Sequence, residues 1–127
     1  MSSDRPRARI MVIEDDVSLL GALTFSLQVG GYAVTGHRTA LGALQDERPC
    51  DCLVADLKLP DVDGLTLIDR MRARGVQAPA ILITTKPDER CRSRAARAHV
   101  LIVEKPLLDG ELRQHIANLL ERRGRRG

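Results

Sequence analysis

Glu14, Asp15 and Asp16 stand side by side directly after the apolar run Ile10–Ile13, in the stretch IMVIEDD. Adjacent carboxylates repel and raise one another's pKa, so folding alone gives no reason to collect them, and a cation is expected among them. Asp56 follows the apolar run 52–55, Thr84 follows 80–83, and Lys105 comes just past 100–103. Carboxylates, joined by a backbone carbonyl just past Asp56, make a hard oxygen site suited to a Mg²⁺ ion that keeps several waters. A lysine and a hydroxyl facing the same spot supply a cation and a donor for the oxygens of a phosphoryl group. One carboxylate would then be the nucleophile, and Asp56 is the natural choice because it would lie centrally. Any one of these residues alone is an ordinary polar residue where a strand emerges into water. Five complementary residues at matching places, Glu14, Asp15, Asp56, Thr84 and Lys105, carry the reading.

Such residues converge only if the runs before them are parallel strands of one sheet. Apolar runs of strand length recur at 10–13, 32–35, 52–55, 80–83 and 100–103. Between them lie residues at helical spacing: Leu19, Leu20, Leu23 and Leu27; Leu41 and Leu44; Leu65, Leu67, Ile68 and Met71; then Leu108, Leu112, Ile116, Leu119 and Leu120. The order βαβαβαβαβα predicts an α/β fold whose parallel sheet is covered by helices on both faces. Ligands of such sheets collect beyond the carboxyl ends of the strands, where all five polar residues fall. Gly30 and Gly31 end the first helix, and Gly75 and Pro79 bracket the turn before the fourth strand. The helix expected over 88–98 offers only Cys91, Ala95 and Ala98 to a core. Small residues bury little area, so it is expected to pack loosely and to be the element that moves.

The 127 residues suit one domain. Phe25 and Tyr32 are the only aromatics, so the core must be aliphatic. No apolar run nears the roughly 20 residues that span a bilayer, and the N-terminus is not of the signal-peptide kind, so a cytoplasmic location is expected. Three cysteines, an odd number, read as thiols. The net charge of +3 is mild, and with almost no aromatics for stacking, nucleic-acid binding is not expected. His37, His99 and His115 lack metal-ligand spacing, and no dinucleotide fingerprint follows the first strand.

Together the pieces IMVIEDD, LVADLKLPDVDGL, AILITTK and VEKP resemble the receiver domain of bacterial two-component response regulators, from about Arg9 to Leu120. The resemblance implies a flavodoxin-like (βα)5 sandwich with strand order 2-1-3-4-5. It places the domain at 9–121, between basic tails at 1–8 and 122–127. It implies that a sensor histidine kinase or a histidine phosphotransfer protein passes a phosphoryl group to Asp56. Asp15 matches the direct metal ligand, Glu14 acts mostly through water, and the Lys58 carbonyl completes the Mg²⁺ shell. Thr84 takes the switch hydroxyl, Lys105 pairs with the phosphoryl oxygens, and Pro106 follows a cis bond. Asp16 is a neighbour of the site. Val17, Leu20 and Pro106 form an expected docking patch for the phosphoryl donor.

Some positions depart from the family pattern. Ile102 stands at the switch position usually held by Tyr or Phe, so the coupled rearrangement of Thr and ring cannot run in its usual form. Thr85 replaces a smaller residue and is read as narrowing access to Asp56. Lys58 and Lys86 occupy positions that tune hydrolysis and are read as prolonging the life of the phosphoaspartate. The chain is expected not to be an enzyme: phosphatases that form an aspartyl phosphate carry a second carboxylate two residues after the nucleophile, where this chain has Lys58. The alternatives are an interaction module independent of phosphorylation and a receiver cut from a longer DNA-binding regulator. With few residues after the last helix, no output domain is expected, and the chain would relay phosphate or bind a protein. A homodimer through helix four, strand five and helix five would use Arg90, Arg94, Arg97, Asp109, Glu111 and Arg113.

Overall fold

A computed structural model describes residues 8–108 and 110–126. The chain alternates β1 (Arg9–Ile13), α1 (Val17–Val29), β2 (Ala33–His37), α2 (Ala40–Gln45), β3 (Cys52–Asp56), α3 (Gly64–Ala73), β4 (Ala80–Thr84), α4 (Glu89–Arg97), β5 (Val100–Glu104) and α5 (Glu111–Arg126). All neighbouring strands pair in parallel, in the order β2-β1-β3-β4-β5. This is the expected flavodoxin-like arrangement. The expected N-terminal tail falls almost wholly outside the described residues, as do Asp109 and Gly127. Residues 122–126, expected as a tail, continue α5.

The sheet explains which runs were continuous. β3 and β4 are buried at every position and β1 at all but Arg9, because helices cover both faces, whereas the edge strands β2 and β5 mix buried and open positions. With a side-chain period of two, alternate residues serve opposite cores. Met11, Ile13, Leu53, Ala55 and Leu82 face α2, α3 and α4. Ile10, Val12, Val54, Ile81 and Ile83 face α1 and α5.

Four helices start on a residue whose side chain accepts from a backbone N–H of the first turn: Asp16, Thr39, Asp63 and Asp88. Each satisfies a donor that the helix itself leaves without a partner. α3 buries Leu65, Leu67, Ile68 and Met71 as expected. α2 does not bury Leu41: this short helix turns Ala40 and Ala43 inward and leaves Leu41 exposed. Leu108 is likewise no core residue, because it lies in the loop before α5 and faces solvent. α4 buries only Cys91 and Ala95. Tyr32 is buried in the α1–α5 core, with its N–H bonded to the Leu27 carbonyl, while Phe25 lies outside. Cys50, Cys52 and Cys91 are free thiols. Among the described residues no helix is long and apolar enough to cross a membrane.

Candidate functional site

Parallel register brings four strand ends to one edge. Ile13 lies beside Ala55, Asp56 beside Ile83 and Thr84 beside Glu104, so the residues at or just past these positions share one surface. Asp56 closes the central strand and is 5% exposed. Its Oδ2 lies 3.0 Å from Lys105 Nζ, and its Oδ1 accepts from the Lys58 N–H at 3.1 Å. Glu14 is wholly buried; its Oε1 lies 3.2 Å from the same Lys105 Nζ, and its Oε2 accepts from the Asp16 N–H. Thr84 is buried beside them, and Asp15 is exposed. Asp16 serves as the cap of α1, accepting from the Leu19 N–H.

Glu14, Asp15 and Asp56 each offer an oxygen, and these oxygens lie within 4.8 Å of one another. Burial pushes the Glu14 carboxyl up to about 7, with the nearby Asp56 adding to the rise against the opposing Asp16 N–H. For Lys105, burial favours the neutral amine, but Asp56 and Glu14 outweigh it and hold the pKa above its ordinary value. One ammonium therefore serves two buried carboxylates while a third stands open beside them. An all-oxygen donor set short of positive charge fits a hard divalent cation such as Mg²⁺.

The loop after Asp56 is fastened at three points that sequence reasoning missed. Gly64 opens α3 so close to Asp56 that a Cβ there would come within 2.3 Å of the Asp56 carbonyl oxygen. Asp61 accepts from the N–H groups of Ala40 and Leu41, capping α2 from 20 residues away. Asp63 caps α3 and also receives Arg94 of α4 at 3.1 Å, with Thr66 Oγ1 within reach of the same guanidinium. Burial works to raise the Asp63 pKa, yet Arg94 and the Thr66 N–H outweigh it and keep it low. The Asp-Gly pair before an apolar run signals the cap and the tight approach. The long-range partners carry no local signal.

Lys58, Thr85 and Lys86 all have exposed side chains, and Lys86 adopts a left-handed φ of 48°. Ile102 is half-buried, paired with Leu82 and packed on the α2–α4 side. The Lys105–Pro106 bond is cis. Val17 and Pro106 are exposed, but Leu20 turns toward β2, where its Cδ1 lies 3.3 Å from the Cβ position of Gly36. One concavity bordering the site is a groove of about 540 Å³, walled by Leu19, Ala22 and Ser26 of α1 and by Pro106, Leu107 and Leu108. Of the charged residues read as a dimer face, Arg94 is held by Asp63, Arg113 lies against Gly30 by α1, and Glu111 accepts from the Leu108 N–H.

A family profile described as "Response regulator receiver domain" matches residues 10–117. Transcriptional regulatory protein PrrA of Mycobacterium tuberculosis is 31% identical over 91% of this chain and 51% of its own length. Transcriptional regulatory protein FixJ of Azorhizobium caulinodans is 36% identical over 62% of this chain and 38% of its own. The chain thus spans about half or less of these curated relatives. A CheY-like receiver domain from Methanospirillum hungatei superposes with a TM-score of 0.89 over 94% of this chain and 98% of its own, at 23% identity, a likeness of fold. With strand order, acid cluster and family match in agreement, the chain belongs to the receiver domains of two-component response regulators.

Proposed function

We propose that this chain accepts a phosphoryl group on Asp56 from a histidine kinase or a histidine phosphotransfer protein and signals through the resulting change in protein contacts. The observation that carries this reading is the buried Asp56 carboxylate, set at the end of the central strand between the Lys105 ammonium and the Lys58 N–H. These donors hold both carboxylate oxygens in place beside Glu14 and Asp15. An Asp56 oxygen attacks phosphorus, the new O–P bond forms as the donor's P–N bond breaks, and the leaving imidazole nitrogen takes up a proton. Lys105 follows the negative charge onto the phosphoryl oxygens, and the Thr84 hydroxyl donates to another of them. Glu14, Asp15, Asp56 and the Lys58 carbonyl would hold Mg²⁺, which when bound supplies positive charge against the incoming phosphoryl group.

Acceptance is stoichiometric rather than catalytic, since Lys58 replaces the second carboxylate that turnover needs. The exposed ammoniums of Lys58 and Lys86 hold the phosphoryl oxygens and slow attack by water, so Lys58→Asn and Lys86→Glu shorten the phosphoaspartate lifetime. Changes at Asp56 reach α4 through the loop that ends on Asp63 and Arg94, a route that does not need a ring at Ile102. The donor docks at Val17 and at Pro106, which lines the groove beside α1, in the bacterial cytoplasm. A phosphorylation-dependent pairing through α4, β5 and α5 would use the exposed Arg90 and Arg97. That both curated relatives are transcriptional regulatory proteins of greater length supports a receiver serving a DNA-binding output.

The test is incubation with acetyl phosphate and Mg²⁺ followed by intact-mass measurement. The reading expects one added phosphoryl group per chain, absent in Asp56→Asn and lost on removing Mg²⁺ with a chelator. An unmodified chain under these conditions would establish the second reading, an interaction module independent of phosphate, which the Ile102 and Thr85 departures favour. Continuous phosphate release would establish an enzyme.

A further inference from the structure

Helix α1 reads VSLLGALTFSLQV, thirteen residues without one charge. Its inner side buries Leu23 and Leu27, yet Val17, Phe25 and Val29 on its outer side are 60–69% exposed. With Gly21 these three stand four residues apart and form one apolar ridge along the whole helix. Exposed Ser18 and Gln28 flank this row, yet three large apolar side chains on one side of a single uncharged helix are more than scattered exposure.

Two features say what covers it. The ridge complements itself when two copies of α1 run antiparallel about a two-fold axis at Leu23: Val17 falls opposite Val29, and the Phe25 ring falls opposite Gly21. Nothing lies within 4 Å of a Cβ position at Gly21, so the ring has room there. The ends of the helix also differ in charge. Asp15 and Asp16 are exposed at its start, while Arg113 of α5 lies beside Gly30 at its finish, with its Cδ 3.5 Å from the Cβ position. Antiparallel pairing sets the acidic end against the basic end and opposes the helix dipoles; parallel pairing sets like against like. A ridge one helix wide falls below about 1,200 Å² of total interface, so the association is weak and reversible.

We propose that α1 is a homodimer surface on which two copies pair antiparallel through Val17, Gly21, Phe25 and Val29. This pairing does not depend on phosphoryl acceptance at Asp56. It covers Val17, so a second copy and a phosphoryl donor docking at the same helix end exclude one another.

Sedimentation of the whole chain between about 10 μM and about 1 mM, the range of small interfaces, tests the pairing. The mass is expected to rise toward two chains, and Phe25→Lys to raise the dissociation constant by at least about tenfold, as the loss of an aromatic anchor does. Phe25 is exposed, so far-ultraviolet circular dichroism and thermal unfolding of the variant stay unchanged and separate lost pairing from lost fold. In a Cys50→Ser background, a Val17→Cys chain is expected to form a disulfide with a Val29→Cys chain and neither with itself. A one-chain mass throughout, a dimer indifferent to Phe25→Lys, or a Val17→Cys chain that cross-links to itself would overturn the proposal. So would a strictly monomeric chain whose Phe25→Lys variant loses only its binding to a histidine kinase.

Discussion

Helices α1 and α4 flank the same site and are held by opposite means. α1 carries no charge and buries Leu23 and Leu27, with Leu19 and Leu20 packed at its edge. α4, ERCRSRAAR, carries five charged residues in nine and buries only Cys91 and Ala95. Its position rests on the Asp88 cap, the Arg92–Glu104 pair and Arg94 on Asp63. Apolar area changes little with salt or with a nearby charge, whereas ion pairs between half-exposed groups are worth about 1 kcal/mol or less and are screened. The difference teaches that one receiver can hold neighbouring helices by separate means: a helix fixed by area stays put when charge changes nearby, and a helix fixed by charge can be shifted by charge.

Deleting area should hurt α1 most. Leu27→Ala is expected to cost about 3 kcal/mol in urea unfolding, the range for a fully buried leucine; a cost below that of any α4 variant would break the comparison. Mg²⁺ at about ten times its Kd should stabilise the chain by about 1.4 kcal/mol, and Glu14→Gln should weaken that gain by lowering affinity. Cys91→Ala is expected to cost about 1 kcal/mol, because α4 has little area to lose. Arg94→Ala should cost less than about 1 kcal/mol globally, since both partners are more than a third exposed. Its effect should appear instead in hydrogen exchange: α4 amides lose protection, α1 amides do not, and about 1 M salt reproduces the pattern without any substitution. Equal loss in both helices would show that α4 is held by something other than its charges.

The site was legible because a sheet covered on both faces must write its strands as apolar runs, and Glu14, Asp56, Thr84 and Lys105 each sit where such a run stops. The fold followed from the same alternation. What escaped was direction and distance. Spacing alone marks Leu41 and Leu108 as helical, but α2 is too short for its period to reveal which side is buried, and Leu108 precedes α5. Leu20 lies at the helix edge as its spacing implies, but no local pattern shows that the missing side chain of Gly36 on β2 leaves room for it over the sheet. Asp61 on α2 and Arg94 on Asp63 join segments 20 and 31 residues apart, which no local pattern records.

The burial of Tyr32 has a practical consequence. The chain has no tryptophan and a single tyrosine, whose backbone is tied to the last turn of α1. Its intrinsic fluorescence therefore comes from one phenol at one corner of the molecule. Quenching by a dissolved halide or acrylamide reads the opening of that corner alone, without a label and without interference from the phosphate-accepting edge.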